Sequence, residues 1–461
     1  MDNSLALEDA DLPALGVILN KKAMLELTRQ YLLAKGAQVE HWRIAHRTYS
    51  PRESCTVSFA VALRDDARAP LQQGWVVGRL YRTREQAETA YNQTRALVQA
   101  TDTPANFWQT QVVYLDTQRL VLQVFAFDHE LPGLVSATNM QSISQRLAAF
   151  LPPARLANPL RIEPLRYRPG HRCVLRYDLG PAQHIYGKVF PPANGKQTFQ
   201  LMQALHASVD RDALLVAEPI AFFPEHSLLV QSAVPGRSLK EILRDAPDPG
   251  AAQAEARQVD MRAVLGRVAQ ALATLHRQAP LLGPTYDPID DLERIEQEIE
   301  RIASIAPKLA VALNGICLAL RRGPAASSST RCLTHGDFKP SQVLIGATIG
   351  LTDFDRAALS DPARDVGNFL ASLRQDRAHL AGSAAAFDAL AAAFVQAYRD
   401  ASGAGVDLGR VNWYETCALL RKSVRAFYSS PRASTAAALA DAAQARQTQL
   451  GSVELTKWQP V

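Results

Sequence analysis

The chain has 461 residues, too many for one compact core, so two or three domains are expected. Apolar residues make up 47% and charged residues 21%, and the net charge of +5 contains no run of five or six basic residues, which gives no nucleic-acid footprint. Cys55, Cys173, Cys317, Cys332 and Cys417 lie far apart without a C-x-x-C pair, which speaks against a disulfide framework or a structural zinc; no apolar run reaches membrane-spanning length.

The N-terminus, Met1-Asp-Asn-Ser-Leu-Ala-Leu-Glu-Asp-Ala-Asp11, is acidic where a secretory leader would be basic and then apolar, so a cytoplasmic protein is expected. Residues 1 to about 150 alternate helix and strand patterns and close at a proline-containing linker, Leu151 to Pro159. The next region is strand-rich, with sheet segments predicted at Cys173–Tyr177, Ile185–Phe190 and Ser227–Gln231 and a helix at Lys196–His206. These two regions echo each other. Tyr49-Ser-Pro-Arg-Glu-Ser-Cys55 resembles Tyr167-Arg-Pro-Gly-His-Arg-Cys173, and Trp75-Val-Val-Gly-Arg-Leu-Tyr81 parallels Ile185-Tyr-Gly-Lys-Val-Phe190. The pattern predicts a duplicated small lobe of which only the second copy serves a catalytic half.

From about residue 238 helical periodicity dominates, with helices predicted at Val264–His276, Leu292–Leu309, Ala385–Tyr398 and Trp413–Tyr428. Within the acidic stretch Asp290–Glu300, Leu292, Ile295, Ile299 and Ile302 form one buried stripe and leave the carboxylates on the other face. Three regions follow: an accessory module over 1–155, a small lobe over 156–236 and a helical catalytic lobe over 237–461.

The chemistry-bearing run is Cys332-Leu-Thr-His-Gly-Asp-Phe-Lys-Pro-Ser-Gln-Val-Leu-Ile345, followed by Leu351-Thr-Asp-Phe-Asp355. One short hairpin separates Asp337 from Asp353, with a lysine and an amide between them. Phosphoryl transfer from ATP needs such a set. Asp337 would receive the proton of a hydroxyl nucleophile, Asp353 would hold Mg²⁺, the Gln342 amide oxygen would add a metal ligand, and Lys339 would meet charge on the moving phosphoryl group. His335 is read as holding the loop by hydrogen bonds, and His276 as a core histidine. Asp361 and Pro362 read as the start of a helix.

His335-Gly-Asp-Phe-Lys-Pro-Ser-Gln342 resembles the H-G-D-x-x-x-x-N loop of the aminoglycoside phosphotransferase and choline-kinase-like family, and the likeness covers about 160–430. It implies an α+β, two-lobed protein-kinase-like fold that binds ATP and Mg²⁺, preceded by the additional β-rich module. It also implies that Lys188 grips the nucleotide phosphates, that Gln231 and Ala233 line an interlobe hinge where backbone groups read the adenine, and that Asp365 braces the catalytic loop. Gln342 departs from the family's Asn; maltokinase-type sugar kinases are similar in carrying Gln there. No Glu or Asp lies between Lys188 and Ala207 to partner that lysine. Only Phe354 to Ser360 separates Asp353 from the next helix start, too short for an activation segment, which favours a small-molecule hydroxyl over a protein as acceptor. An ATP-dependent O-phosphotransferase acting on a sugar, amino sugar or amino alcohol is expected, with a catalytically impaired, pseudokinase-like nucleotide-binding protein as the alternative.

Overall fold

The computed structural model describes residues 9–64, 71–101, 107–152, 160–180, 183–192, 194–245, 251–323, 331–375, 384–403, 406–429 and 433–452. The boundary expected at 155/156 lies outside them. The chain forms two compact units, one drawn from Met1–Lys196, Ile220–Gln231 and Ala426–Ala433, the other from Gln197–Pro219, Ser232–Arg425 and Ser434–Val461.

The first unit carries the echo as structure. Strands β1 (Gln38–Ser50), β2 (Ser54–Arg64), β3 (Gln72–Tyr81), β4 (Val112–Leu115) and β5 (Leu120–Val124) form a sheet in the order β1-β2-β3-β5-β4. Strands β6 (Arg161–Arg168), β7 (Arg172–Gly180) and β8 (Gln183–Val189) are followed by β9 (Leu215–Val216), which joins another sheet. With β10 (Pro219–Phe223) and β11 (Leu228–Ser232) they repeat the same order, β6-β7-β8-β11-β10. The registers coincide too: Tyr49 pairs with Cys55 as Tyr167 pairs with Cys173, and Thr56 pairs with Arg79 as Val174 pairs with Lys188. Each final hairpin turns through a short 3-10 segment closed by a left-handed residue, Arg119 in one copy and Ser227 in the other.

Strict alternation along β7 puts Cys173, Leu175, Tyr177 and Leu179 on one buried face. The helices Gly133–Thr138 and Met140–Leu147 cover that face with Leu134, Ala137, Ile143 and Leu147, and the Tyr177 hydroxyl donates to the Ala137 carbonyl at 2.9 Å. Residues from both copies therefore share one core. Each large apolar side chain buried there contributes about 1.5–3 kcal/mol.

Arg79 occupies in the first copy the place that Lys188 holds in the second. It is buried, and its guanidinium donates to Asp128 at 2.8 Å and to Glu130. Burial alone would push that guanidinium down, and the two carboxylates outweigh it. Asp128, fully buried, also accepts from the Tyr167 hydroxyl and the Gly170 amide, each at 2.8 Å. Gly170 has φ +73°, a left-handed backbone that favours glycine, so the turn between β6 and β7 closes on the clasp without strain.

His46, on β1, has its imidazole pushed down to about 4, first by burial and then by the charges of Arg168, His171 and Arg166. Unfolded, this group protonates near pH 6.5; folded, it stays neutral until about pH 4. Its contribution is therefore complete above pH 6.5 and is lost as pH falls through that window. At pH 5, His46→Asn should recover about 1–2 kcal/mol of the stability that the parent loses relative to pH 7.5. Urea unfolding midpoints of both proteins at the two pH values check this.

The second unit is mainly helical, and no helix among the described residues is long and apolar enough to cross a membrane. The helix Ala384–Ser402 packs along Ala251–Gln278. One correction to the sequence reading concerns Leu292–Leu309. The helix Pro288–Ala303 stops there and a second, Pro307–Arg321, begins, because Pro307 lacks the N–H and the clearance to continue a helix and suits a first turn instead. The predicted stripe Leu292, Ile295, Ile299 and Ile302 is buried.

Candidate active site

In the second unit β12 (Arg237–Ser238) borders the hairpin of β14 (Val343–Ile345) and β15 (Gly350–Leu351), which lies in sequence between β13 (Cys332–Thr334) and its partner β16 (Ala358–Ser360). The loop leaving β13 turns at Gly336, φ +78°, where a Cβ would come within 2.0 Å of the Arg356 carbonyl oxygen. Only glycine fits.

Asp365 anchors this loop. Its fully buried carboxylate accepts the His335 amide at 2.6 Å and the Gly336 amide at 2.8 Å, while His276 Nε2 stands 3.1 Å away. Burial would raise its carboxyl, but the hydrogen bond and charge of His276 outweigh that and hold it below the usual carboxylate range. The other ring nitrogen of His276 meets the Tyr398 hydroxyl at 2.7 Å, so this is a satisfied core histidine with a bracing role. Asp361 accepts the Ala363 amide at 2.8 Å, capping the helix Ala363–Gln375 that carries Asp365.

His335 ties the two halves of the motif. It is buried, its Nε2 lies 2.9 Å from the Thr352 carbonyl, and its Nδ1 accepts the Asp337 amide at 3.4 Å, a pattern that needs the neutral Nε2–H tautomer. Beyond it, Lys339 donates to the Asp337 carboxylate. Burial pushes the Asp337 carboxyl up; the charge and hydrogen bond of Lys339, with Arg356 adding to them, outweigh it and hold the group below the usual range. Asp337 is ionised at neutral pH.

Gln342 closes a 3-10 turn, Pro340–Gln342, and its Nε2 donates to Asp353 Oδ2 at 2.9 Å. The longer side chain thus still reaches the second aspartate. Asp353 takes a left-handed backbone, φ 72° and ψ 57°, which costs about 1–3 kcal/mol and is tolerated by Asp more readily than by most residues. The Asp353 carboxylate and the Gln342 amide oxygen are hard oxygen donors of the kind Mg²⁺ takes, one or two from protein and the rest from phosphates and water. Among the described residues no group of three or more His, Cys, Asp and Glu side chains is placed to hold a metal. The residues fit magnesium held jointly with a nucleotide.

Lys188 and Gln231 lie in the first unit, buried on the neighbouring strands β8 and β11. The chain crosses between units at Gln231 and Ser232, which puts Ala233 in the second.

The family described as "Phosphotransferase enzyme family" matches residues 108–414, about two thirds of the chain. The chain belongs to this family. The phosphotransferase match begins inside the first sheet, upstream of the 160 suggested by the motif, consistent with the core shared by the two copies. Membership establishes a protein-kinase-like fold and a phosphotransferase as its class. Solved structures similar to this phosphotransferase include a Ralstonia eutropha protein provisionally named an aminoglycoside phosphotransferase, 16% identical, covering 67% of this chain and 96% of that one, with a TM-score of 0.48. A thermostable mutant of aminoglycoside phosphotransferase APH(4)-Ia, bound to AMP-PNP and hygromycin B, is 17% identical over 68% and 99%, at 0.46. Choline kinase LicA from Streptococcus pneumoniae is 14% identical over 67% and 98%, at 0.43. No curated protein matches.

The sequence reading passed over Arg356, Asn368 and Arg421. The Asn368 amide donates to the Gly336 carbonyl at 3.4 Å and is itself held by Arg421 at 2.8 Å. Neither residue sits in a motif, and no periodicity singles them out.

Proposed function

We propose that the protein is an ATP-dependent, magnesium-requiring O-phosphotransferase whose acceptor is a hydroxyl of a small molecule. The reading rests on one observation: Asp337 with Lys339, and Gln342 with Asp353, stand as two polar pairs on loops joined through His335 and Thr352. In the reaction the bond from the γ-phosphorus to the bridging oxygen of ATP breaks and a bond to the acceptor oxygen forms. The hydroxyl proton passes to the Asp337 carboxylate, and ADP leaves. Lys339 steadies the carboxylate and offsets negative charge on the transferred group. Bound magnesium would neutralise the nucleotide phosphates; Asp353 and Gln342 would hold it. In the family resemblance Lys188 is the residue that grips those phosphates.

A small acceptor is favoured because the stretch after Asp353 is spent on a 3-10 turn, Phe354–Arg356, and on β16, which pairs with β13. No length is left to seat a peptide. A panel of sugars, amino sugars and amino alcohols with Mg-ATP should yield acceptor-dependent ADP release that Asp353→Ala abolishes. ATP binding with no turnover on any hydroxyl would overturn the reading and leave a nucleotide-binding protein.

A further inference from the structure

Around Asp337 the second unit gathers several basic side chains. Lys339 is engaged by Asp337, and Arg421 by Asp291 at 2.5 Å. Two more guanidiniums, Arg356 and Arg425, are exposed and act electrostatically on Asp337, and among the described residues neither forms an ion pair. The fold fixes both. The Arg356 carbonyl packs on Gly336, and Arg425 stands one turn beyond Arg421 on the same face of the helix Leu408–Ser429. Arg421 and Arg356 act on the Arg425 guanidinium as like charges, with Asp337 and Asp291 acting the other way. Like charges held together in this way are costly, and an anion between them relieves the cost through charge-assisted hydrogen bonds.

Several of the carboxylates that would draw a cationic acceptor are already engaged, while Asp290 and Glu300 stand exposed. On the helix Pro288–Ala303, Asp291 pairs with Arg421 and accepts from the Tyr286 hydroxyl at 2.9 Å, Glu296 pairs with Arg321 at 2.5 Å, and Glu298 with Arg301 at 3.1 Å. We infer that the phosphoryl acceptor carries an anionic group, a phosphate or a carboxylate, gripped by Arg356 and Arg425 while its hydroxyl faces Asp337. The inference rests on the phosphotransfer reading and names the substrate class of that same site.

The test is a panel of matched acceptors with Mg-ATP, each hydroxyl scaffold supplied as neutral, aminated, phosphorylated and acid forms; glucose, glucosamine, glucose 6-phosphate and gluconate make one set. An anionic member should exceed its neutral and aminated counterparts at least tenfold in kcat/KM, and the phosphate and acid arms tell which anion is read. Arg356→Gln and Arg425→Gln should each raise KM for that anion about tenfold with kcat little changed and thermal midpoints retained. Preference for a neutral or aminated member, or an unchanged KM in both folded variants, overturns the inference and leaves phosphotransfer standing. Turnover of no member overturns the phosphotransfer reading and the inference with it.

Discussion

Asp337→Asn should slow phosphoryl transfer by about 10²- to 10⁴-fold, equivalent to about 3–5 kcal/mol of barrier, while nucleotide affinity stays near that of the parent. The amide keeps the shape of the carboxylate but cannot accept the hydroxyl proton, and it removes the negative charge that faces Lys339. Gln342 and Asp353 are untouched, so the residues assigned to the metal remain. Steady-state kinetics with a productive acceptor, beside calorimetric titration of Mg-ATP, separate the two effects. Asp337 is held below the usual carboxylate range, so protonation of this group should not limit the parent's turnover at neutral or mildly acidic pH. A variant within tenfold of the parent would remove Asp337 as the base.

Much of this site was legible because its chemistry is local in sequence. His335, Asp337, Lys339 and Gln342 fall within one loop, and Asp353 follows after a single hairpin, so residue type and spacing alone carry the idea. The duplicated sheet was legible for a related reason: Tyr49 and Cys55, and their counterparts Tyr167 and Cys173, mark equivalent registers in two antiparallel pairs. What escaped was long-range or conformational. Arg356 and Arg425 are far apart in the chain, and only folding brings them within each other's electrostatic reach. The left-handed turn at Asp353 leaves no trace in composition. The helix break was visible in principle, since Pro307 stands in mid-pattern, but four apolar residues in phase concealed it. The Arg79 clasp was half visible. The echo aligns Arg79 with Lys188, yet nothing in Phe125-Ala-Phe-Asp-His-Glu130 announces carboxylates aimed at that arginine.

That clasp carries the largest expected effect on stability. Asp128→Asn should destabilise the protein by about 3–5 kcal/mol, the usual result of leaving a buried charge without its partner. Four donors converge on the Asp128 carboxylate: the Arg79 guanidinium, the Tyr167 hydroxyl, the Gly170 amide and, at 3.2 Å, the Glu130 amide. An asparagine can accept through one oxygen only, and its NH₂ must face one of those donors. Glu130, which is half exposed, cannot replace the lost charge, and Arg79 Nε already lacks a hydrogen-bond partner. Adding Arg79→Met should therefore recover at least about 1 kcal/mol, because it withdraws the charge left behind. Urea unfolding of both single variants and the double variant measures this coupling; a cost below about 1 kcal/mol for Asp128→Asn would mean the clasp is not a support. The same change tests what the first copy does for the second. Tyr167 precedes and Gly170 lies within the turn Arg168–Arg172, which the family resemblance puts in the place of a phosphate-covering loop. Releasing it should raise KM for ATP several-fold and leave KM for the acceptor unchanged, a split that loss of global stability alone does not produce.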